Sequence, residues 1–177
     1  IFYFPSLTHV VSSSIQDVGA SIFAYHVSDP SRYGVVELGL KNEVLSIEEK
    51  PINPKSNFAI PGFYFFDNNV IQYARDLSPS NRGELEITDL ISQYYHSDLL
   101  NVIKMDKGTA WLDTGTVSSL MDASQFVQVL EKRQGLKVGC VEEQAYLRGY
   151  IDAEQLRKLA EPFNNGYGKY LISLLND

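Results

Sequence analysis

The run Gly19-Ala20-Ser21-Ile22-Phe23-Ala24-Tyr25-His26-Val27 contains no Asp, Glu, Lys or Arg. It is too short for an amphipathic helix and rich in strand formers, so it reads as a strand buried inside a sheet. His26 within it reads as a satisfied core histidine. A buried strand needs neighbours, and the next segments supply them. Asp29-Pro30-Ser31-Arg32-Tyr33-Gly34 is a turn, Val35-Val36-Glu37-Leu38 resumes the sheet, and Gly39-Leu40-Lys41-Asn42 turns again. Residues 44–51 then alternate as a strand does. The result is a hairpin whose antiparallel pairing brings Tyr33-Gly34 and Glu49-Lys50-Pro51 to one end. Gly62-Phe63-Tyr64-Phe65-Phe66 is a further strand, closed by Asp67, which caps a helix over residues 69–77 that Pro79 stops. Residues 82–89 lead into a second helix through Tyr95, with acids in its first turn as the helix dipole prefers. Residues 99–105 form a strand again. Strands alternating with helices indicate an α/β layer fold.

The stretch Ala110-Trp111-Leu112-Asp113-Thr114-Gly115-Thr116 holds the only tryptophan of the chain. Behind it Val117, Leu120, Met121, Ala123, Phe126, Val127 and Leu130 recur at helical spacing up to Gly135, where a left-handed cap is easy. Thr116 reads as the N-cap of that helix. Asp113 sits on the turn before a helix N-terminus, where amide donors and the dipole suit anionic ligands. A carboxylate there can hold a divalent metal whose other ligands are phosphate oxygens. On this stretch alone the acid is better read as the residue that completes its own turn. Beyond Gly135 come short helices over residues 141–148 and 152–160, the latter capped by Asp152 with Leu156, Leu159 and Ala160 inward. The last helix carries the stripe Tyr167, Tyr170, Leu171, Leu174 and Leu175. That stripe packs on its own core or forms a subunit interface.

Charge narrows the partners. The net charge of −7 and pI near 4.9 leave no basic face for a nucleic acid. A phosphate-bearing ligand must be met by local cations. No apolar run reaches membrane-spanning length, and the single Cys140 suits a reducing cytoplasm. A short helical pattern over residues 5–15 places Leu7, Val10, Val11 and Ile15 on one side, and His9 reads as a surface residue.

Four stretches stand in order: Tyr33-Gly34-Val35-Val36-Glu37, Glu48-Glu49-Lys50-Pro51, Arg82-Gly83-Glu84-Leu85-Glu86-Ile87-Thr88-Asp89 and Trp111-Leu112-Asp113-Thr114-Gly115-Thr116. Together they resemble the successive signatures of the sugar-1-phosphate nucleotidyltransferases. The tail Glu131-Lys132-Arg133-Gln134-Gly135-Leu136-Lys137 narrows the resemblance to the glucose-1-phosphate thymidylyltransferases of dTDP-L-rhamnose formation. The resemblance implies an α/β fold of the nucleotide-diphospho-sugar transferase type, with a sugar-phosphate-binding part over residues 1–116 and a helical subdomain over 117–177. It implies a Mg2+-dependent enzyme in which glucose 1-phosphate attacks the α-phosphorus of dTTP, giving dTDP-glucose and pyrophosphate.

By the same resemblance Lys50, Arg82 and Asp113 are the catalytic residues. Lys50 and Arg82 bind the sugar phosphate, and Asp113 is one of two carboxylates on the metal. Tyr33, Gly34, Glu49 and the backbone at Ile60 line the sugar pocket, which Tyr64 shapes. A regulatory nucleotide site would involve Tyr3, Val138 and Glu143, and assembly would be a cytoplasmic homotetramer. Three departures accompany this. The family's Gly-rich phosphate loop, its base contacts and its second metal-binding Asp fall in an N-terminal half that precedes Ile1, so the chain is expected to be the C-terminal portion of such an enzyme. Pro61 stands where the family usually has Thr. Phe4 replaces a customary Gly, and the regulatory Arg usually falls one place before Arg148. The rival expectation is a non-catalytic sugar-nucleotide-binding or oligomerisation module that works with another chain.

Overall fold

The computed structural model describes residues 1–3, 11, 12, 15 and 18–176. The surface placement of His9, the substitution at Phe4 and most of the helix read over 5–15 lie outside the described residues. The chain divides into two compact units, Ile1–Trp111 and Leu112–Asp177.

The first unit is organised by β2, Ala20–His26, the strand read from the apolar run. Ala20, Ile22, Phe23 and Ala24 have no exposed surface, and Ser21 is 1% exposed. Ser21 is satisfied across the sheet by Asn101 Nδ2, which donates to its hydroxyl at 3.3 Å. β7, Leu100–Lys104, runs parallel to β2 from Ala20↔Leu100 to Ala24↔Lys104. β6, Tyr64–Phe66, pairs antiparallel with residues 20–22, and β5, Phe58–Ala59, pairs antiparallel with Tyr25 and His26. From β5 the sheet continues through β3, Gly34–Leu38, to β4, Val44–Glu49. β3 and β4 form the hairpin expected from the sequence, with a register irregularity between Glu37 and Leu38. A separate ribbon joins β1, Phe2–Tyr3, to β8, Ala110–Trp111. The sheet is therefore mixed: β2 and β7 form a parallel pair, and the other pairings among the described residues are antiparallel.

Alternation along β2 divides the core between two faces. Ile22 and Ala24 pack with Val36, Ile60 and Ile91. Phe23 and Tyr25 enter an aromatic layer instead, Phe23 stacking on Phe63 at 4.9 Å and Tyr25 meeting Trp111 edge-on at 5.7 Å. Between β6 and β7 lie α1, Val70–Asp76, and α2, Ile87–His96. Leu90, Ile91 and Tyr94 of α2 are buried, as their i, i+1, i+4 spacing requires. Asp67 ties this layer together, accepting from the Gly19 amide at 2.8 Å, the Tyr94 hydroxyl at 2.7 Å and the Asn69 amide at 3.0 Å. The expected cap is thus a junction between strand and helices.

Two expectations in this unit need correction. His26 is exposed, because β2 leaves the core at its C-terminal end, and its ring meets that of Phe58 in a T-shaped contact at 5.7 Å. The short strand β5 escaped notice because Phe58-Ala59 offers too little alternation to register.

The second unit is helical: α3, Val117–Gln134; α4, Val141–Leu147; α5, Ala153–Ala160; α6, Gly166–Ser173. α3 begins and ends as read, with Thr116 and Ser119 forming a reciprocal capping box and Gly135 at φ 72° as the left-handed cap. Its apolar periodicity does not build a core, however. Ala123 is buried, whereas Val117, Leu120 and Met121 are 83%, 51% and 54% exposed. The core forms from Cys140, Leu156, Ala160 and Leu171, with Tyr146, Ile151 and the α6 stripe packed around it. The stripe packs within its own unit, around Leu156 and Ala160 of α5 and Cys140. Leu159, expected inward, is 43% exposed because the inward face of α5 is defined by Leu156 and Ala160. No helix among the described residues is long and apolar enough to cross a membrane.

Candidate functional site

The site forms where the β3–β4 hairpin closes against the start of α2. Gly34 lies opposite Glu49 in the ladder, and the Lys50 amide donates to the Tyr33 carbonyl at 3.0 Å. Lys50 has φ +40°, a left-handed conformation that a long side chain adopts only where its surroundings impose it. Here the imposing contact is that hydrogen bond, which turns the chain out of the ladder directly after Glu49. Lys50 remains 44% exposed beside a Glu49 side chain that is only 18% exposed.

Glu49 is held in place from α2. The Thr88 hydroxyl donates to its Oε2 at 3.0 Å, and Thr88 itself is 3% exposed. The other carboxylate oxygen faces two cations, Arg82 Nη1 at 3.8 Å and Lys50 Nζ at 3.9 Å. Gly34 is what lets these groups meet. A Cβ on it would lie 2.7 Å from Thr88 Cγ2 and 3.3 Å from Glu49 Oε2, closer than carbon atoms pack. The Gly34 carbonyl accepts from the Ile60 amide at 2.7 Å, which brings Ile60 and the buried Pro61 to the same end. Pro61 offers no hydroxyl and no amide proton, and its carbonyl accepts from Phe63. Tyr64 stands nearby with its phenol shifted upward, first by burial and then by the negative charge of Glu49, so the hydroxyl stays protonated as a donor. Tyr33 turns its ring onto Trp111 at 4.9 Å.

Arg82 reaches this cluster from the loop before α2. Besides Glu49 it faces Glu84 at 2.9 Å and Glu86 at 3.5 Å. The arrangement is two half-exposed cations around a fixed, largely buried carboxylate, with a close-approach glycine behind it. Cations of this kind can hold an anionic oxygen, and a fixed carboxylate can accept from hydroxyls.

Of the residues named from sequence, Gly34, Glu49, Lys50, Ile60, Tyr64 and Arg82 all belong to the first unit. Tyr33 is joined to Lys50 through its backbone. Asp113 belongs to the second unit, where its carboxylate accepts from the Gly115 amide at 3.2 Å and completes the turn before Thr116. Among the described residues no group of three or more His, Cys, Asp or Glu could hold a metal ion.

Tyr3 pairs with Ala110 in the β1–β8 ribbon. Val138 and Glu143 lie in the second unit. The Val138 amide donates to Glu131 at 3.2 Å, and the Tyr170 hydroxyl donates to Glu143 at 2.8 Å. Burial and that hydrogen bond push the Tyr170 phenol up to about 12.

Sequence reasoning overlooked Thr88 and Glu86, both buried polar residues. A signal existed for Thr88. It falls one turn before Ile91 on the buried face of α2, where an uncompensated hydroxyl would be costly. Glu86 carried no such pattern.

Residues 3–129 match the family model described as nucleotidyl transferase. A glucose-1-phosphate thymidylyltransferase of Mycobacterium tuberculosis is 52% identical over 176 residues, covering 99% of this chain and 61% of that protein. One from Xanthomonas campestris is 47% identical over 176 residues, covering 98% of this chain and 60% of that protein. The chain thus spans about three fifths of the length of the curated relatives it matches. A Bacillus anthracis protein crystallised with sucrose superimposes with TM-score 0.62 at 37% identity over 71% of this chain and 50% of that one. A UDP-glucose pyrophosphorylase complexed with UDP-glucose shares the fold, with TM-score 0.60 at 21% identity over 70% of this chain and 49% of that one. With a family model matched over well over half of its length, and with the hairpin and helix signatures folded into one site, the chain belongs to the nucleotidyl transferase family.

Proposed function

We propose that this chain supplies the sugar-phosphate side of a glucose-1-phosphate thymidylyltransferase. The observation that carries the reading is the end of the β3–β4 hairpin, where Lys50 at φ +40° and Arg82 flank the half-buried carboxylate of Glu49. In the reaction a phosphate oxygen of glucose 1-phosphate attacks the α-phosphorus of dTTP. The bond from that phosphorus to the β-phosphate bridging oxygen breaks, and pyrophosphate leaves. The attacking oxygen is already ionised, so the protein's task is positioning and charge neutralisation rather than proton removal. Lys50 and Arg82 hold the sugar phosphate and offset the charge that gathers in the transition state. Glu49, oriented by Thr88, accepts from sugar hydroxyls, and the missing side chain at Gly34 lets Thr88 and Glu49 close on the end of the hairpin. Tyr64 contributes a neutral hydroxyl. Mg2+ bound through Asp113 would supply charge neutralisation on the phosphates.

A titration with glucose 1-phosphate, glucose and inorganic phosphate tests the binding half. Glucose 1-phosphate is expected to bind more tightly than either fragment, and equal affinity for glucose would overturn the reading. Pyrophosphate release from dTTP and glucose 1-phosphate with Mg2+ tests turnover. Binding without turnover would favour the module that works with another chain.

A further inference from the structure

We propose that Ser80 and Glu86 are positioning residues that hold Arg82 for a phosphate, and that Glu84 is the exchangeable counter-ion the phosphate displaces. The proposal rests on the reading of Arg82 as a phosphate ligand.

The loop that presents Arg82 is built on Ser80. The Ser80 amide donates to the Glu84 carbonyl at 2.8 Å, and the Gly83 amide returns to the Ser80 carbonyl at 2.8 Å. Gly83, at φ +76°, makes the tight turn possible. The Ser80 side chain does two further things at once. Its hydroxyl oxygen accepts from the Arg82 amide at 3.1 Å and donates its proton to Glu86 Oε1 at 2.8 Å. The backbone of Arg82 and the carboxylate that faces its guanidinium are therefore fixed by one hydroxyl.

The three carboxylates around Arg82 are not equivalent. Glu86 has a side chain only 9% exposed and faces Nη1, as does Glu49, which is 18% exposed. Glu84 is 61% exposed and meets Nη2 at 2.9 Å. A buried carboxylate keeps its charge only while partnered, so the contact from Glu86 is not readily given up. An exposed Arg–Glu pair is held weakly and exchanges cheaply. The guanidinium thus has one edge anchored toward the protein and one edge whose present partner is replaceable. An incoming phosphate can take the place of Glu84 on Nη2 while Glu86 keeps the plane of the group in position.

The opposite signs expected for two neighbouring acids make the test decisive. The chain and its variants Ser80→Ala, Glu86→Gln, Glu84→Gln and Arg82→Ala are titrated calorimetrically with glucose 1-phosphate and with glucose, and their thermal unfolding is recorded. Arg82→Ala is expected to weaken glucose 1-phosphate binding about ten-fold or more. Glu86→Gln and Ser80→Ala should each weaken it about five-fold, leave glucose binding unchanged and add nothing in the Arg82→Ala background. Glu84→Gln should tighten it about two-fold. Additive losses, equal losses for glucose, or weakening by Glu84→Gln would overturn the proposal while leaving the site reading intact. An Arg82→Ala variant that binds as the parent does would remove both. Should Glu86→Gln unfold, Ser80→Ala carries the same decision from the other end of the hydrogen bond.

Discussion

Two of the acidic positions singled out by the sequence, Glu49 and Asp113, are built in opposite ways. Glu49 is held by contacts distant in sequence: Thr88 donates to it, Arg82 faces it, and Gly34 gives up its side chain to make room. Asp113 is held by the Gly115 amide two residues on, inside its own turn. A carboxylate placed by long-range contacts exists only when the sheet has formed, and its geometry is set by the whole unit. A carboxylate placed by a local turn is available early and depends on its ligands for any further function.

The largest effects should follow from removing the cations that make the Glu49 region a site. Lys50→Met and Arg82→Ala are expected to lower kcat/KM in a protein of its relatives' full length by several tens-fold or more, about 2–4 kcal/mol of lost charge stabilisation. Arg82→Lys should restore only part of this, because an ammonium cannot bind phosphate bidentately. Asp113→Ala should reduce turnover strongly in the same assay with Mg2+. Steady-state kinetics decides each, and unchanged kcat/KM for both Lys50→Met and Arg82→Ala would reduce those residues to surface ion pairs.

Next in size is the fit behind Glu49. Gly34→Ala places a Cβ 2.7 Å from Thr88 Cγ2 in a buried corner, and overpacking of this kind costs about 1–3 kcal/mol. Denaturant unfolding should show that loss, together with weaker glucose 1-phosphate binding. A Gly34→Ala variant of unchanged stability would mean that α2 can retreat from the hairpin, and that the close approach is not required.

How much of this was legible in advance follows from the same contrast. The hairpin could be read because turn residues and alternation are local signals, and pairing alone then carried Gly34 to Glu49. Thr116 and Gly135 could be read because helix ends are written in the residues that form them. Ser80, Glu86 and Thr88 could not be assigned roles, since each acts through a partner chosen by tertiary packing. For α3 the periodicity reported the helix and its ends but not what covers its apolar face. His26 misled because a strand can leave the core before its sequence pattern changes.

Acid offers a finer probe of the long-range side of the comparison. Asp67 anchors β2, α1 and α2, and its carboxyl lies below its usual value of 3.8, chiefly through the hydrogen bond from the Gly19 amide. A depressed folded value means the anion stabilises the fold fully above the unfolded pKa. That contribution is lost as the pH falls below about 4 toward the folded value. The first unit should therefore lose stability on the acid side, and Asp67→Asn should flatten that part of the profile while lowering stability at neutral pH. An Asp67→Asn protein with the parent's acid dependence would transfer the effect to other carboxylates.

The smallest effect expected is also the one that isolates the local side of the comparison. If Asp113 serves the fold only through its turn, Asp113→Asn keeps an acceptor for the Gly115 amide, and stability should change by no more than about 0.5 kcal/mol. Thr116→Ala, three residues later, removes the side-chain oxygen that accepts from Ser119 at 3.1 Å, and loss of such a cap costs about 1 kcal/mol. Equilibrium unfolding of the two variants side by side separates turn from cap. Because Asp113→Asn is expected to leave the fold nearly untouched, any loss of Mg2+-dependent turnover it causes belongs to the carboxylate's charge. A destabilisation by Asp113→Asn as large as that of Thr116→Ala would instead show that the acid is an essential part of the helix start, and its kinetic effects could then no longer be read as those of a ligand.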